Sequence, residues 1–338
     1  MVTRNYKSSV PLTLESGEVL EDFTVAYTTY GSLNADASNV IWVIHALTGD
    51  SNAADWWNGI VGEKAIYNFS SHFIICANLI GSCYGSTNPL SENPKTGLPY
   101  YDRFPLVSTR DLANSLELLR THLKIDSIHT LIGGSLGGQV ALEWAYLLGN
   151  KLKHAIVVAS TAKTSPWVIG FNEAQRMAIS SDSTWGQPKD DAGLKGLEAA
   201  RAMAMLSYRN PQDLNAKQQE TADKLDGFLA SSYLRYQGSK LTKRFNAFSY
   251  WTLSKAMDSH DIGRGRGGVE MALKSIQAQV FAVGVNSDLL FLAEEARFLS
   301  QAVPSGSYGE IVSTAGHDAF LIEFTQLTSL IEEFYRSY

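Results

Sequence analysis

The stretch LIGGSLGGQVALEW, Leu131 to Trp144, sets an apolar run against two glycine pairs that flank a single serine. Gly133-Gly134-Ser135-Leu136-Gly137 fits the pattern G-x-S-x-G. It follows a strand-like run, HTLIG, and opens a helix-like run, QVALEWAYLL. That is the context of a nucleophile elbow, a sharp strand-to-helix turn whose crowded backbone tolerates only small neighbours. Serine has no special nucleophilicity of its own, so a site that uses it must expose Oγ, set a base beside it and hold donors where an oxyanion forms. A glycine-rich turn in any doubly wound sheet would read the same way, and the rest of the chain has to supply the partners.

Outward from the elbow, β-rich apolar runs bounded by turn residues recur at 23–31, 40–47, 73–81, 129–134, 154–160, 279–288 and 309–317. Several are continuously apolar, as strands buried on both faces of a parallel sheet are. Helix-like segments near 108–123, 137–148, 291–302 and 318–335 alternate with them, which predicts an α/β fold with a mostly parallel central sheet. Between Thr161 and Lys274 the pattern changes to helix-period stretches such as LKGLEAARAMAMLSYR, without a convincing strand. This predicts a core domain made of 1–160 and 275–338 and a helical cap inserted at 161–274. The chain returns through GRGRGG, Gly263 to Gly268, read as a flexible point.

An elbow serine in such a sheet needs an acid and then a histidine later in the chain, each at the carboxyl end of a strand. Of the seven histidines only His317, in TAGHDAF, follows Ser135 at a strand end, on a glycine turn that opens the last helix. Asp288 follows VFAVGVNS at the end of the preceding strand, where it could take the Nδ1 proton of His317 and hold the useful tautomer. Asp318 competes by proximity, but neighbouring side chains point in different directions. The oxyanion hole is expected to combine the backbone N–H of Leu136 with that of Leu47 in IHALTGD. His45, at a buried strand end, reads as a satisfied structural histidine outside the chemistry.

With 338 residues, 45% hydrophobic and 18% charged, the composition is that of an ordinary globular protein. A net charge of −6 argues against the broad basic face that nucleic acids or anionic membranes require, so neither is an expected partner. Any anionic ligand must be met by local cations. The two cysteines, Cys76 and Cys83, form no C-x-x-C and join no metal-ligand cluster, so no metal is expected. No apolar run approaches a membrane span and MVTRNYKSSVPL lacks the order of a signal peptide, which suggests the cytoplasm.

In order along the chain, HALTGDS with a following WW, GSCYGSTNP, NPKTGLPY, FPLVSTRD, GGSLGGQVALEWA, FNEAQRMAI, SYLRYQG, RFNAFSYWTLSKAMD, GRGRGG and AGHDAFLIE resemble the signatures of the homoserine O-acetyltransferases, a family of the α/β-hydrolase superfamily. The resemblance implies a Ser135, Asp288, His317 triad, no permanently bound cofactor, acetyl-CoA as co-substrate and L-homoserine as acceptor. It also implies a homodimer assembled through the cap helices. Arg201 and Tyr208 would contact the homoserine carboxylate, and Asp318 its ammonium. Seven residues span about two helical turns, so Arg201 and Tyr208 share a face. The chain departs from the pattern in the short NAAD between GDS and WW, in Leu136 and QV of the elbow, and in the compact STWGQPKDDAG. Succinyl-CoA as donor, serine as acceptor, and a hydrolase with the same triad are the alternatives. Trp56 and Trp57 are read as lining the donor entrance or as buried packing. Lys240, Lys243, Arg244, Arg264 and Arg266 are read as solvated cap cations.

Overall fold

The computed structural model describes residues 1–337. Its central sheet holds strands β1 Val2–Lys7, β2 Thr24–Tyr30, β3 Val40–Ile44, β4 Phe73–Ala77, β5 Ile128–Gly134, β6 Leu152–Val158, β7 Gln279–Val285 and β8 Gly306–Ile311. They lie in the order β1-β2-β4-β3-β5-β6-β7-β8, an order in which only β1/β2 and β2/β4 pair antiparallel. All seven expected strand regions are therefore in the sheet. The eighth, β1, was not expected: it is an edge strand that buries only Tyr6, so it carries no apolar run.

The run VIWVI of β3 shows why the interior strands read as continuously apolar. Val40, Trp42 and Ile44 enter one hydrophobic cluster, while Ile41 and Val43 enter the other on the opposite face. Side chains alternate across a strand, so a sheet covered on both sides needs an apolar residue at every position. Helices α1 Thr109–His122 and α2 Leu136–Leu148 cover the first face, where Trp42 meets Trp144 edge to face at 4.8 Å. The second face is covered by the segment around Trp57 and by the C-terminal helix, which places Leu327, Ile331 and Phe334 on the sheet. Ser108 starts α1 through a reciprocal capping box with Asp111.

Between β6 and β7 lie helices α3 Pro166–Ser180, α4 Leu194–Tyr208, α5 Leu229–Thr242 and α6 Ala247–Asp258. The outgoing and returning segments are stitched together: Thr164 N–H donates to His260 O at 2.9 Å, Ile262 N–H to Ala162 O at 3.0 Å, and Lys163 pairs with Asp261 at 2.9 Å. The return through Gly263–Gly268 is a hydrogen-bonded turn, with Arg266 N–H on Gly263 O at 2.9 Å. Its arginines are both paired: Arg266 is largely buried and so not a solvated cap cation, whereas Arg264 stays exposed at 41% as expected. Arg264 pairs with Glu15 at 2.7 Å, and Arg266 with Glu143 at 2.8 Å. The Glu143 side chain is 0% exposed and would be strongly unfavourable without Arg266 and Arg110, the latter at 3.3 Å.

Candidate active site

The parallel register brings the ends of β3, β5, β6 and β7 to one level: Ile44 lies beside Gly133, Gly134 beside Val158, and Val158 beside Val283. Loops that leave these ends share the carboxyl edge of the sheet, where open α/β sheets keep their sites. Ser135 leaves β5 and immediately starts α2, with φ 56° and ψ −125°, a conformation costly for any residue but glycine. A β-carbon on Gly133 would fall 2.3 Å from Gly137 O, and one on Gly137 would fall 2.3 Å from Ile44 O. The glycines are thus required by close backbone approach, which lets so sharp a turn hold Oγ out at the end of the strand.

Three distant parts of the sequence meet at that hydroxyl. His317 Nε2 is 2.9 Å from Ser135 Oγ, and His317 Nδ1 is 2.7 Å from Asp288 Oδ2. The other Asp288 oxygen accepts the N–H groups of Leu290 and Phe291 at 2.7 and 3.1 Å, which fixes the carboxylate. All three residues are buried, at 5% exposure or less. Burial alone would push the His317 imidazole down. The Asp288 charge and hydrogen bond, with a contribution from Asp318, outweigh it and hold the imidazole above its ordinary value. Aromatic rings of Tyr208, Phe291 and Phe320 surround it at 5.5, 5.5 and 5.6 Å. His317 belongs to a separate 3-10 turn, Gly316–Leu321, and the last helix begins only at Phe324.

Leu136 directly follows Ser135, and Leu47 lies in the loop after Ile44, whose carbonyl Gly137 approaches. Among the described residues neither backbone N–H has a hydrogen-bond acceptor, and Leu136 heads α2, whose first N–H groups have no partner within the helix. His45 is 0% exposed, with both ring nitrogens engaged by backbone. Trp57 is fully buried and donates its indole N–H to Phe320 O at 2.9 Å, so it packs the core rather than lining an entrance. Trp56 stacks on it at 5.3 Å.

The cap reaches the histidine through the end of α4. Gly316 has φ 71°, and a β-carbon there would fall 2.7 Å from Tyr208 O, so only glycine allows the His317 turn to press on that helix end. Arg201 lies over the Tyr208 ring, with Cζ 5.3 Å from its centroid, and Tyr208 faces His317. Burial raises the Tyr208 phenol. Arg201, Tyr208, His317 and Asp318 therefore form one neighbourhood. A residue the sequence reading passed over, Arg209, completes it: its Nε is 3.4 Å from Asp318 Oδ2 and its Nη1 is 3.6 Å from Asp213 Oδ2. Its signal was the second arginine that directly follows Tyr208. Of the remaining cations, Arg244 donates to Thr48 O at 2.6 Å and to the Tyr84 hydroxyl, which ties the cap to the loop after β3; Lys240 and Lys243 are exposed.

The arrangement can deliver a hydroxyl nucleophile, a base aligned behind it and two N–H groups, as acyl transfer requires. A family profile described as alpha/beta hydrolase fold matches residues 39–324. A homoserine O-acetyltransferase from Cyclobacterium marinum is 60% identical over 324 residues, covering 96% of this chain and 92% of that one. The crystal structure of homoserine O-acetyltransferase from Bacillus anthracis superposes with a TM-score of 0.92 at 23% identity, covering 99% of this chain and 98% of that one. The crystal structure of esterase E22 does so with a TM-score of 0.91 at 22% identity, covering 98% and 99%. At these identities the two structures speak for the fold alone.

Proposed function

The chain belongs to the homoserine O-acetyltransferase family on the α/β-hydrolase fold, and from that premise we propose that it moves the acetyl group of acetyl-CoA to the hydroxyl of L-homoserine through an acyl-serine. The observation that carries the proposal is the hydrogen-bonded line Asp288, His317, Ser135, with Arg201 and Asp318 grouped around the same histidine.

In the first half-reaction Ser135 Oγ attacks the thioester carbonyl while His317 Nε2 takes its proton. The Leu47 and Leu136 N–H groups receive the oxyanion. As the tetrahedral intermediate collapses, the C–S bond breaks and His317 returns the proton to the departing thiolate. In the second half the homoserine hydroxyl gives its proton to His317 and attacks the acyl carbon. The C–Oγ bond to Ser135 then breaks, and the serine recovers the proton. A small zwitterion needs a cation for its carboxylate and an anion for its ammonium, roles assigned to Arg201, with the Tyr208 hydroxyl beside it, and to Asp318. Holding both ends orients the hydroxyl at the acyl carbon and favours it over water.

The product is an activated ester of homoserine, and the proposal extends to a cytoplasmic role in methionine biosynthesis. It also extends to a homodimer through the cap, where Met203, Leu206, Phe228, Leu229 and Tyr236 are exposed by 38–60%. The test is a free-thiol assay with acetyl-CoA or succinyl-CoA against homoserine, serine and no acceptor. Sustained thiol release only with acetyl-CoA and homoserine supports the reading. Equal release without acceptor assigns a hydrolase instead.

A further inference from the structure

The two candidate oxyanion donors belong to peptide units whose carbonyl ends are both gripped from behind. The peptide that carries the Leu136 N–H has the Ser135 carbonyl at its other end. That oxygen accepts the N–H of Gly138 at 2.9 Å, the N–H of Gln139 at 3.2 Å and the Ser160 hydroxyl at 2.8 Å. The peptide that carries the Leu47 N–H has the Ala46 carbonyl at its other end. That oxygen accepts one backbone N–H, from Gly49 at 2.9 Å, and lies 2.8 Å from His45 Nδ1.

The His45 tautomer follows from its partners. Leu79 N–H points at Nε2 from 2.9 Å and can only donate, so Nε2 is the acceptor and the ring proton sits on Nδ1. Nδ1–H therefore donates to Ala46 O. A charged ring could not accept from Leu79, and burial holds the imidazole below its ordinary value, in the neutral form that this geometry needs. The peptide unit is planar and trans, so its C=O and N–H point in opposite directions, and fixing the oxygen fixes the direction of the Leu47 N–H. The elbow peptide is held by two helical N–H groups as well as a hydroxyl; the Leu47 peptide has one loop N–H and the imidazole.

We propose that His45 is a positioning residue for acyl transfer: its Nδ1–H orients, through the Ala46 carbonyl, the Leu47 N–H that receives the oxyanion. Leu79 N–H, the imidazole and the Ala46–Leu47 peptide form one hydrogen-bonded line aimed at the reacting carbonyl, and a donor aligned before the reaction needs no reorganisation as charge develops. The inference rests on the proposed role of Leu47 in the first half-reaction.

The two ring bonds can be separated by substitution. The His45→Asn amide N–H stands near the place of Nδ1 and can still reach Ala46 O, but not Leu79. The longer His45→Gln side chain can meet Leu79 N–H but leaves Ala46 O without its side-chain donor. Ser135 acetylation is followed as single-turnover thiol release from acetyl-CoA alone, with a thermal melt of each variant. The proposal expects His45→Gln to acetylate about ten- to a hundredfold more slowly, below the ~10²–10³ lost with a whole oxyanion donor, at little change in the donor concentration for half-maximal rate. His45→Asn should recover most of that loss, with both variants melting together. Equal rates in both variants and wild type would overturn the role, as would losses that follow melting temperature instead of the Ala46 donor. Absence of thiol release from the wild-type enzyme would instead strike at the acyl-transfer reading itself.

Discussion

Arg209 Nε lies 3.4 Å from Asp318 Oδ2, so the carboxylate next to the histidine base already has a cation from the cap before any substrate arrives. Both side chains are largely buried, at 19% and 18% exposure, where a charge pair is screened less than at the surface. The pair joins the end of α4 to the His317 turn. Its carboxylate adds to the Asp288 charge that the histidine experiences, and would be the charge that an acceptor ammonium meets.

The first consequence is a pair of opposite shifts in pH dependence. Acylation needs neutral His317, so its rate falls as pH drops through the imidazole pKa. The Asp318 charge is one of the influences that raise it. Asp318→Asn should move the acidic limb of single-turnover thiol release to lower pH. Arg209→Gln, by leaving Asp318 uncompensated, should move it to higher pH. Shifts of the same sign in both variants would show that Asp318 does not act on His317 through its charge.

Ser135→Ala should abolish turnover with the fold intact, since it removes one oxygen. Ser135→Gly should also be inactive but more stable than the alanine variant by about 1 kcal/mol. Glycine adopts φ 56°, ψ −125° without the steric cost, and this outweighs its greater freedom in the unfolded chain. Urea midpoints of the two variants measure the difference, and an alanine variant at least as stable would contradict the strain assigned to the elbow.

Asp288→Asn keeps the size of the side chain and the Leu290 contact but offers an N–H to His317 Nδ1. The ring must then present its proton towards Ser135, where it cannot act as a base. The corresponding change in a serine protease costs about 10⁴ in turnover. Steady-state thiol release should fall by a similar order; a loss smaller than roughly tenfold would move the triad acid elsewhere.

The sheet was legible because its interior strands are covered on both faces, so runs such as VIWVI and HAIVVAS carry the signal without alternation. The edge strand β1 was not, because VTRNYK buries one ring and is held by pairing with β2 rather than by its own apolarity. That Ser135, Asp288 and His317 come together could be read because they follow in a fixed order at strand ends. Arg209 was missed because its role is set by how the α4 end docks on Gly316, a contact between residues distant in sequence. The partners of the GRGRGG arginines were hidden for a related reason: Glu15 and Glu143, which pair with them, come from elsewhere in the chain.

Arg201→Ala separates the two half-reactions. It should leave single-turnover acetylation of Ser135 nearly unchanged. The lost charge-assisted contact should lower the homoserine kcat/KM by about ten- to a hundredfold, equivalent to roughly 1.5–3 kcal/mol. Slowed acetylation, or unchanged homoserine kinetics, would remove Arg201 from the acceptor site.

The acyl-serine intermediate is tested most directly by mass spectrometry of the wild-type enzyme mixed with acetyl-CoA and then chased with L-homoserine. The account predicts one acetyl group on the peptide that contains Ser135, persistent in buffer and discharged by homoserine with formation of its O-acetyl ester. Thiol release with no acetyl on Ser135, or an acetyl lost to water as fast as to homoserine, would contradict it.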